Sequence, residues 1–137
     1  MGHQTNRPSY QVDLEIFCQP KHKVFCWLLL NDRLSMMNLL KRKKMTLDSY
    51  TCETCLTGEE ETVQHLFWGC PFAQQCWGML NLQTIQTGGT SENVLAIKDQ
   101  MNNQFFMIAI IRMCWTIWRA RNELIQVKEN LSESFDQ

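Results

Sequence analysis

The sequence lacks an apolar run long enough to cross a bilayer. Its most apolar stretch, FFMIAIIRMCWTIW over residues 105–118, has fourteen residues and contains Arg112, whereas a spanning helix takes about twenty. That stretch reads as a buried core helix. No signal peptide is visible: the first fifteen residues are polar and include Asp13 and Glu15, which also disfavours a typical organelle transit peptide. Asn6 stands where a myristoylation motif following Gly2 needs Ser or Thr. Also missing are a β-hairpin signal, an internal repeat and a low-complexity tract. No GxSxG elbow, phosphate-binding loop or glycine-rich dinucleotide fingerprint is present, and no set of residues passes as catalytic. An excess of one charge is absent too. The formal net charge is −1, which argues against a generic nucleic-acid binder.

What is present suits one folded domain. The length of 137 residues allows a single core, and five tryptophans supply bulk for it. Seven cysteines, an odd number without a signal peptide, point to a reducing compartment rather than a disulfide framework. Cytoplasm or nucleus is the expected location, with unusual organelle import left open. Charge is uneven along the chain. Residues 1–50 carry eight Lys/Arg against four Asp/Glu, and residues 51–100 carry one against six. The basic excess centres on Lys41, Arg42, Lys43 and Lys44. These four could touch phosphate or direct nuclear import, or form the solvated end of a helix.

The pattern predicts an all-α bundle of about six helices. Residues 1–20 read as an irregular segment, with a short extended piece over 12–17. Residues 21–128 read as one helical zinc-binding domain, and 129–137 as a frayed tail. Val24, Phe25, Trp27, Leu28 and Leu29 fit a first buried helix. Asp32 is placed to cap a second, over 33–44, with Leu34, Met37 and Leu40 on one face. Thr57 and Glu60 have the spacing of a capping box for a helix over 57–68, and the three glutamates 59–61 suit its first turn. Gly69 is placed as its left-handed stop and Pro71 as the start of the next helix. Ser91 is placed to cap a modest helix to about residue 99. The last helix is predicted over about 103–128.

The chemistry concentrates in Cys52-x2-Cys55-x9-His65-x4-Cys70. Two cysteines two residues apart in a tight turn can aim both sulfurs at one ion. A helix followed by a stop can bring a histidine and a cysteine to the same point. Three thiolates and one imidazole suit tetrahedral Zn²⁺. With four protein ligands no position is left for water, so the metal would be structural. The competing reading is that these are ordinary buried thiols of a reduced protein, as Cys18, Cys26, Cys76 and Cys114 are taken to be. His22 is a further candidate ligand that reads better as a surface helix residue.

Several stretches together, KHKVFCWLLLNDRL, LLKRK, CETC, EEETVQHLFWGCPFAQQCW and WTIWRARNELI, resemble the zinc-binding domain that follows the reverse transcriptase in plant non-LTR (LINE-type) retrotransposons. The resemblance covers about residues 14–80 and again 112–125. It implies that Cys52, Cys55, His65 and Cys70 ligate zinc. It also implies that Leu66, Phe67, Pro71 and Trp77 pack around the site, with Trp115, Trp118, Arg119, Arg121 and Asn122 in the trailing segment. Gln126 stands where that family usually has an aromatic residue. The sequence holds no polymerase, endonuclease or RNase H, so it reads as a free-standing retroelement fragment.

Two uses follow. One is a non-enzymatic, zinc-stabilised protein-interaction module, serving as a regulator or as a toxin or antidote of a selfish locus. Here the last helix is apolar on more than one face, and a bundle of this size would leave part of it over. Phe105, Phe106, Ile110, Trp115 and Trp118 are then expected to meet another protein or a second copy. The other use is an RNA- or DNA-binding module through Lys41, Arg42, Lys43 and Lys44, with Trp68 available for base stacking. The glutamates of the knuckle oppose that use by repelling phosphate.

Overall fold

The computed structural model describes residues 18–37 and 50–135. These fold as α1 (Pro20–Leu30), a π turn (Gln64–Gly69), α2 (Pro71–Gly78), α3 (Thr90–Met101) and α4 (Phe106–Phe135). The all-α class holds, with five helical elements among the described residues where the sequence suggested about six. Most of the expected second helix lies outside the described residues, as do the extended piece over 12–17 and Lys41, Arg42, Lys43 and Lys44. The one extended pairing among the described residues is an isolated antiparallel bridge between Thr51 and Glu60.

α1 opens with Pro20, whose missing N–H costs nothing at a helix start. It does not end by handing over to a cap at Asp32. Asp32 adopts a left-handed φ of 53° and belongs to the stop of α1. Its N–H donates to the Leu29 carbonyl at 3.2 Å, and the Arg33 N–H donates to the Leu28 carbonyl at 2.8 Å. That pair of bonds is a Schellman closure. Phe25, Cys26 and Leu29 form the buried face of α1. Phe25 packs edge-on to Trp115 with centroids 5.3 Å apart, and also meets Phe67 at 6.1 Å.

The π turn sits where the elements meet. Trp68 stacks on Trp77 of α2 at 5.3 Å, and both indoles are fully buried. Each removes roughly 200 Å² from water, worth about 5 kcal/mol before ordering costs. Their polar edges are satisfied: Trp77 Nε1 donates to the Phe67 carbonyl at 2.8 Å, and Trp68 Nε1 to Thr90 Oγ1 at 3.2 Å. Thr84 Oγ1 donates to the Trp68 carbonyl at 2.7 Å. Buried Asn93 holds the loop before α3, accepting from the Ile85 N–H at 2.7 Å and donating to the carbonyls of Ile85, Gly88 and Gly89. A tryptophan this enclosed cannot stack on a base, which removes Trp68 as a nucleic-acid contact.

α4 buries a single stripe. Phe106, Met107, Ile110, Ile111, Cys114, Ile117 and Arg121 face inward at the three-and-four spacing of one helix face. This corrects the expected contact surface. Phe106 and Ile110 belong to the core, and Trp115 and Trp118 lean on it. Phe105 is the exposed one of those five. α4 also continues to Phe135, past the expected end near residue 128, so residues 129–135 are helical rather than frayed. Its start at Phe106 and the start of α3 at Thr90 differ from the expected 103 and the Ser91 cap. The N-cap of α3 is Gly89, without a side-chain hydrogen bond.

Candidate metal centre

The metal centre begins with a knuckle rather than a capped helix. Cys52 N–H donates to the Glu59 carbonyl at 2.8 Å, and Glu61 N–H donates to the Tyr50 carbonyl at 2.9 Å. These bonds hold residues 50–61 as a narrow loop, with Leu56 at φ 56° and Gly58 at φ 85° turning the chain. The Thr57–Glu60 capping box therefore does not form. The residue that does cap is Thr62, whose Oγ1 accepts from the His65 N–H at 3.0 Å. His65 consequently lies in the first turn of its helix rather than the second.

The π geometry then delivers Cys70. Its N–H reaches back five residues to the His65 carbonyl at 2.6 Å. Cys70 itself is extended, with φ −64° and ψ 137°, as a residue before proline should be. Gly69 is needed here for a different reason than a left-handed stop: a Cβ on it would stand 2.9 Å from the Gln86 carbonyl oxygen. The loop before α3 packs against the turn at that point.

Cys52, Cys55, His65 and Cys70 thereby offer ligand atoms that all lie within 4.8 Å of one another. The Cys52 and Cys70 sulfurs are 4.0 Å apart, and Cys55 Sγ lies 3.2 Å from His65 Nε2. Thiolates about 2.3 Å from one tetrahedral ion sit about 3.8 Å apart, close to the 4.0 Å between the Cys52 and Cys70 sulfurs. Cys52, His65 and Cys70 are buried, and Cys55 is half-exposed. Two hydroxyls attend the sulfurs: Thr54 Oγ1 lies 3.0 Å from Cys52 and 3.2 Å from Cys70, and Thr57 Oγ1 lies 3.1 Å from Cys55. The hydrogen bond with Cys52 lowers the Cys70 thiol below its ordinary value. The same bond, reinforced by burial, raises Cys52. Binding a cation there requires the thiols to give up their protons.

The chain matches the family described as zinc-binding in reverse transcriptase over residues 5–77, more than half of its 137 residues. It belongs to that family. No curated protein and no solved structure matches it significantly. The zinc-binding domain carries the donor set that structural zinc requires, three thiolates and an imidazole on a short knuckle. Cys18, Cys26, Cys76 and Cys114 stand outside that set. So does His22, which meets the edge of Trp115 at 5.1 Å. No helix among the described residues is long and apolar enough to cross a membrane.

Two supporting residues escaped the sequence reading, which took the acidic run as helix-end charge. Glu59 Oε2 lies 3.0 Å from His65 Nδ1. Glu61, fully buried, accepts from Arg121 Nε at 2.9 Å and Arg121 Nη2 at 2.7 Å, while its Oε1 also accepts the Met37 N–H at 2.9 Å. Arg121 lies beyond the residues matched to the family, yet it braces the knuckle. Glu53, inside the CxxC turn, pairs with Lys128 of α4 at 3.0 Å. Acidic residues beside metal ligands and an arginine within an apolar helix were the available signals.

Proposed function

We propose that this zinc-binding domain is a non-enzymatic protein-interaction module of plant retrotransposon origin, working in a reducing intracellular compartment. The observation that carries the reading is on α1. Val24, Trp27 and Leu30 are 59%, 58% and 53% exposed and follow one another at three-residue spacing along the helix. Large apolar residues grouped on one exposed face suit a protein contact. A four-ligand metal centre with no open position supports a structural rather than a catalytic role, and seven free cysteines suit a reducing environment. The partner is another protein or a second copy of the chain. Its identity decides between a regulator and a toxin or antidote of a selfish locus.

The test is non-denaturing mass spectrometry of the protein purified from its host, alongside the Val24→Ser/Trp27→Ser variant. A homodimer or a stoichiometric protein complex that the variant loses supports the reading. A parent chain that runs as a bare monomer sinks it. The nucleic-acid alternative rests on Lys41, Arg42, Lys43 and Lys44. It predicts that reversing these four charges abolishes binding to single-stranded RNA. The buried position of Trp68 and the acidic knuckle weigh against it.

A further inference from the structure

His65 can meet a metal through either ring nitrogen, and the fold has to choose one. Its neutral ring has one N–H and one lone pair. Nε2 is the atom turned toward Cys55 Sγ, 3.2 Å away. Nδ1 is turned the other way, 3.0 Å from Glu59 Oε2. An ionised carboxylate only accepts, so it draws the N–H to Nδ1 and leaves the lone pair on Nε2, toward the cluster.

Glu59 is itself held for this task by its backbone. Its carbonyl accepts the Cys52 N–H, so the backbone that carries the carboxylate is tied to a metal ligand. The His65 backbone is fixed on both sides, through Thr62 Oγ1 and through Cys70 N–H. What remains free is the ring's rotation, and Glu59 is the group placed to stop it. No helix starts at residue 59, so helix-end electrostatics do not account for a carboxylate there.

We propose that Glu59 is the positioning residue of the zinc centre: it fixes His65 as an Nε2 ligand and thereby sets how tightly the knuckle holds its ion. This rests on the zinc reading of Cys52, Cys55, His65 and Cys70. The Glu59 side chain is exposed while that of His65 is buried, so replacing it removes the hydrogen bond without opening the core.

The test compares the parent chain with Glu59→Ala and Glu59→Gln. Zinc affinity is read by competition with a chromophoric chelator, and the donor set by the visible spectrum of the Co²⁺-substituted protein. The protonated nitrogen of His65 is read by ¹⁵N NMR of its ring. Glu59→Ala should bind one zinc per chain about 10–100-fold more weakly while keeping the tetrahedral, thiolate-rich cobalt spectrum. Glu59→Gln, whose amide oxygen still accepts, should fall between the two, and it keeps the test open should the alanine variant fail to fold. The parent ring should show a proton on Nδ1 and metal on Nε2. Equal zinc affinity in all three proteins, or metal on Nδ1, would overturn the assignment of Glu59 while leaving the zinc centre standing. A parent chain that takes up no zinc would instead overturn the zinc reading itself.

Discussion

Arg121 and Glu61, 60 residues apart in the chain, form a two-pronged ion pair with both side chains buried. The guanidinium also lies 4.6 Å from the Trp118 ring centroid, and its Nη2 donates to the Ser35 carbonyl at 3.1 Å. One arginine thus joins α4, the knuckle and the segment after α1. Removing one member of a buried pair leaves the other charge without its partner, at a cost of about 3–5 kcal/mol. Arg121→Met should lower the urea midpoint accordingly. The Arg121→Met/Glu61→Leu double variant should recover much of the loss, because an apolar replacement of both members leaves no lone charge. A double variant as unstable as the sum of the two single ones would show that the pair does not act as a unit.

Zinc binding to a knuckle of this kind is largely folding free energy. Cys55→Ser and Cys70→Ser should each abolish the cooperative thermal transition, and excess chelator should do the same to the parent chain. Circular dichroism during a chelator titration checks this. A chelated protein that melts like the zinc-loaded one would mean the metal does not support the fold.

Burial pushes the Cys26 thiol up to about 11 from an ordinary 9.0. Between those values the unfolded chain has released a proton that the folded chain still holds. Stability should therefore fall as pH rises from about 9 to 11. Cys26→Ala or Cys26→Val should flatten that fall, measured by urea melts across the range. At neutral pH, Cys26 and Cys114, the latter raised well above its usual value by burial, should resist alkylation in the zinc-loaded protein.

Gly69→Ala should destabilise by about 1–3 kcal/mol, because its Cβ would meet the Gln86 backbone oxygen, which cannot swing aside as a side chain can. Gly78→Ala is the matched control: a Cβ there meets nothing, and the substitution should be neutral or slightly stabilising in α2. Thermal melts of the two variants give the comparison.

The four ligands were legible because thiols and an imidazole at that spacing have few other uses. Their supports were not. Nothing local to Glu61 announces Arg121, since the pairing exists only once α4 crosses the knuckle. The capping signal at Thr57 misled because the bridge at Thr51 and Glu60 holds that segment extended, and a tertiary demand overrides a local propensity. Thr62 has the same chemistry one step later and does the capping. The burial of α4 was also partly hidden: composition showed an apolar helix, while α1, the π turn and α3 determined which of its faces they cover. Phe106 and Ile110 went inside for that reason, while Val24, Trp27 and Leu30 of α1 are left exposed.

The distance in sequence between Glu61 and Arg121 has a consequence for synthesis. All four zinc ligands have left the ribosome once Cys70 is out, while Arg121 is still to be translated. Metal uptake can therefore precede completion of the core on the nascent chain. Until the last helix arrives, the Glu61 carboxylate lacks the guanidinium that neutralises it, and water must solvate it. A truncation ending before Arg121 is a chain with a complete ligand set and an unfinished interior.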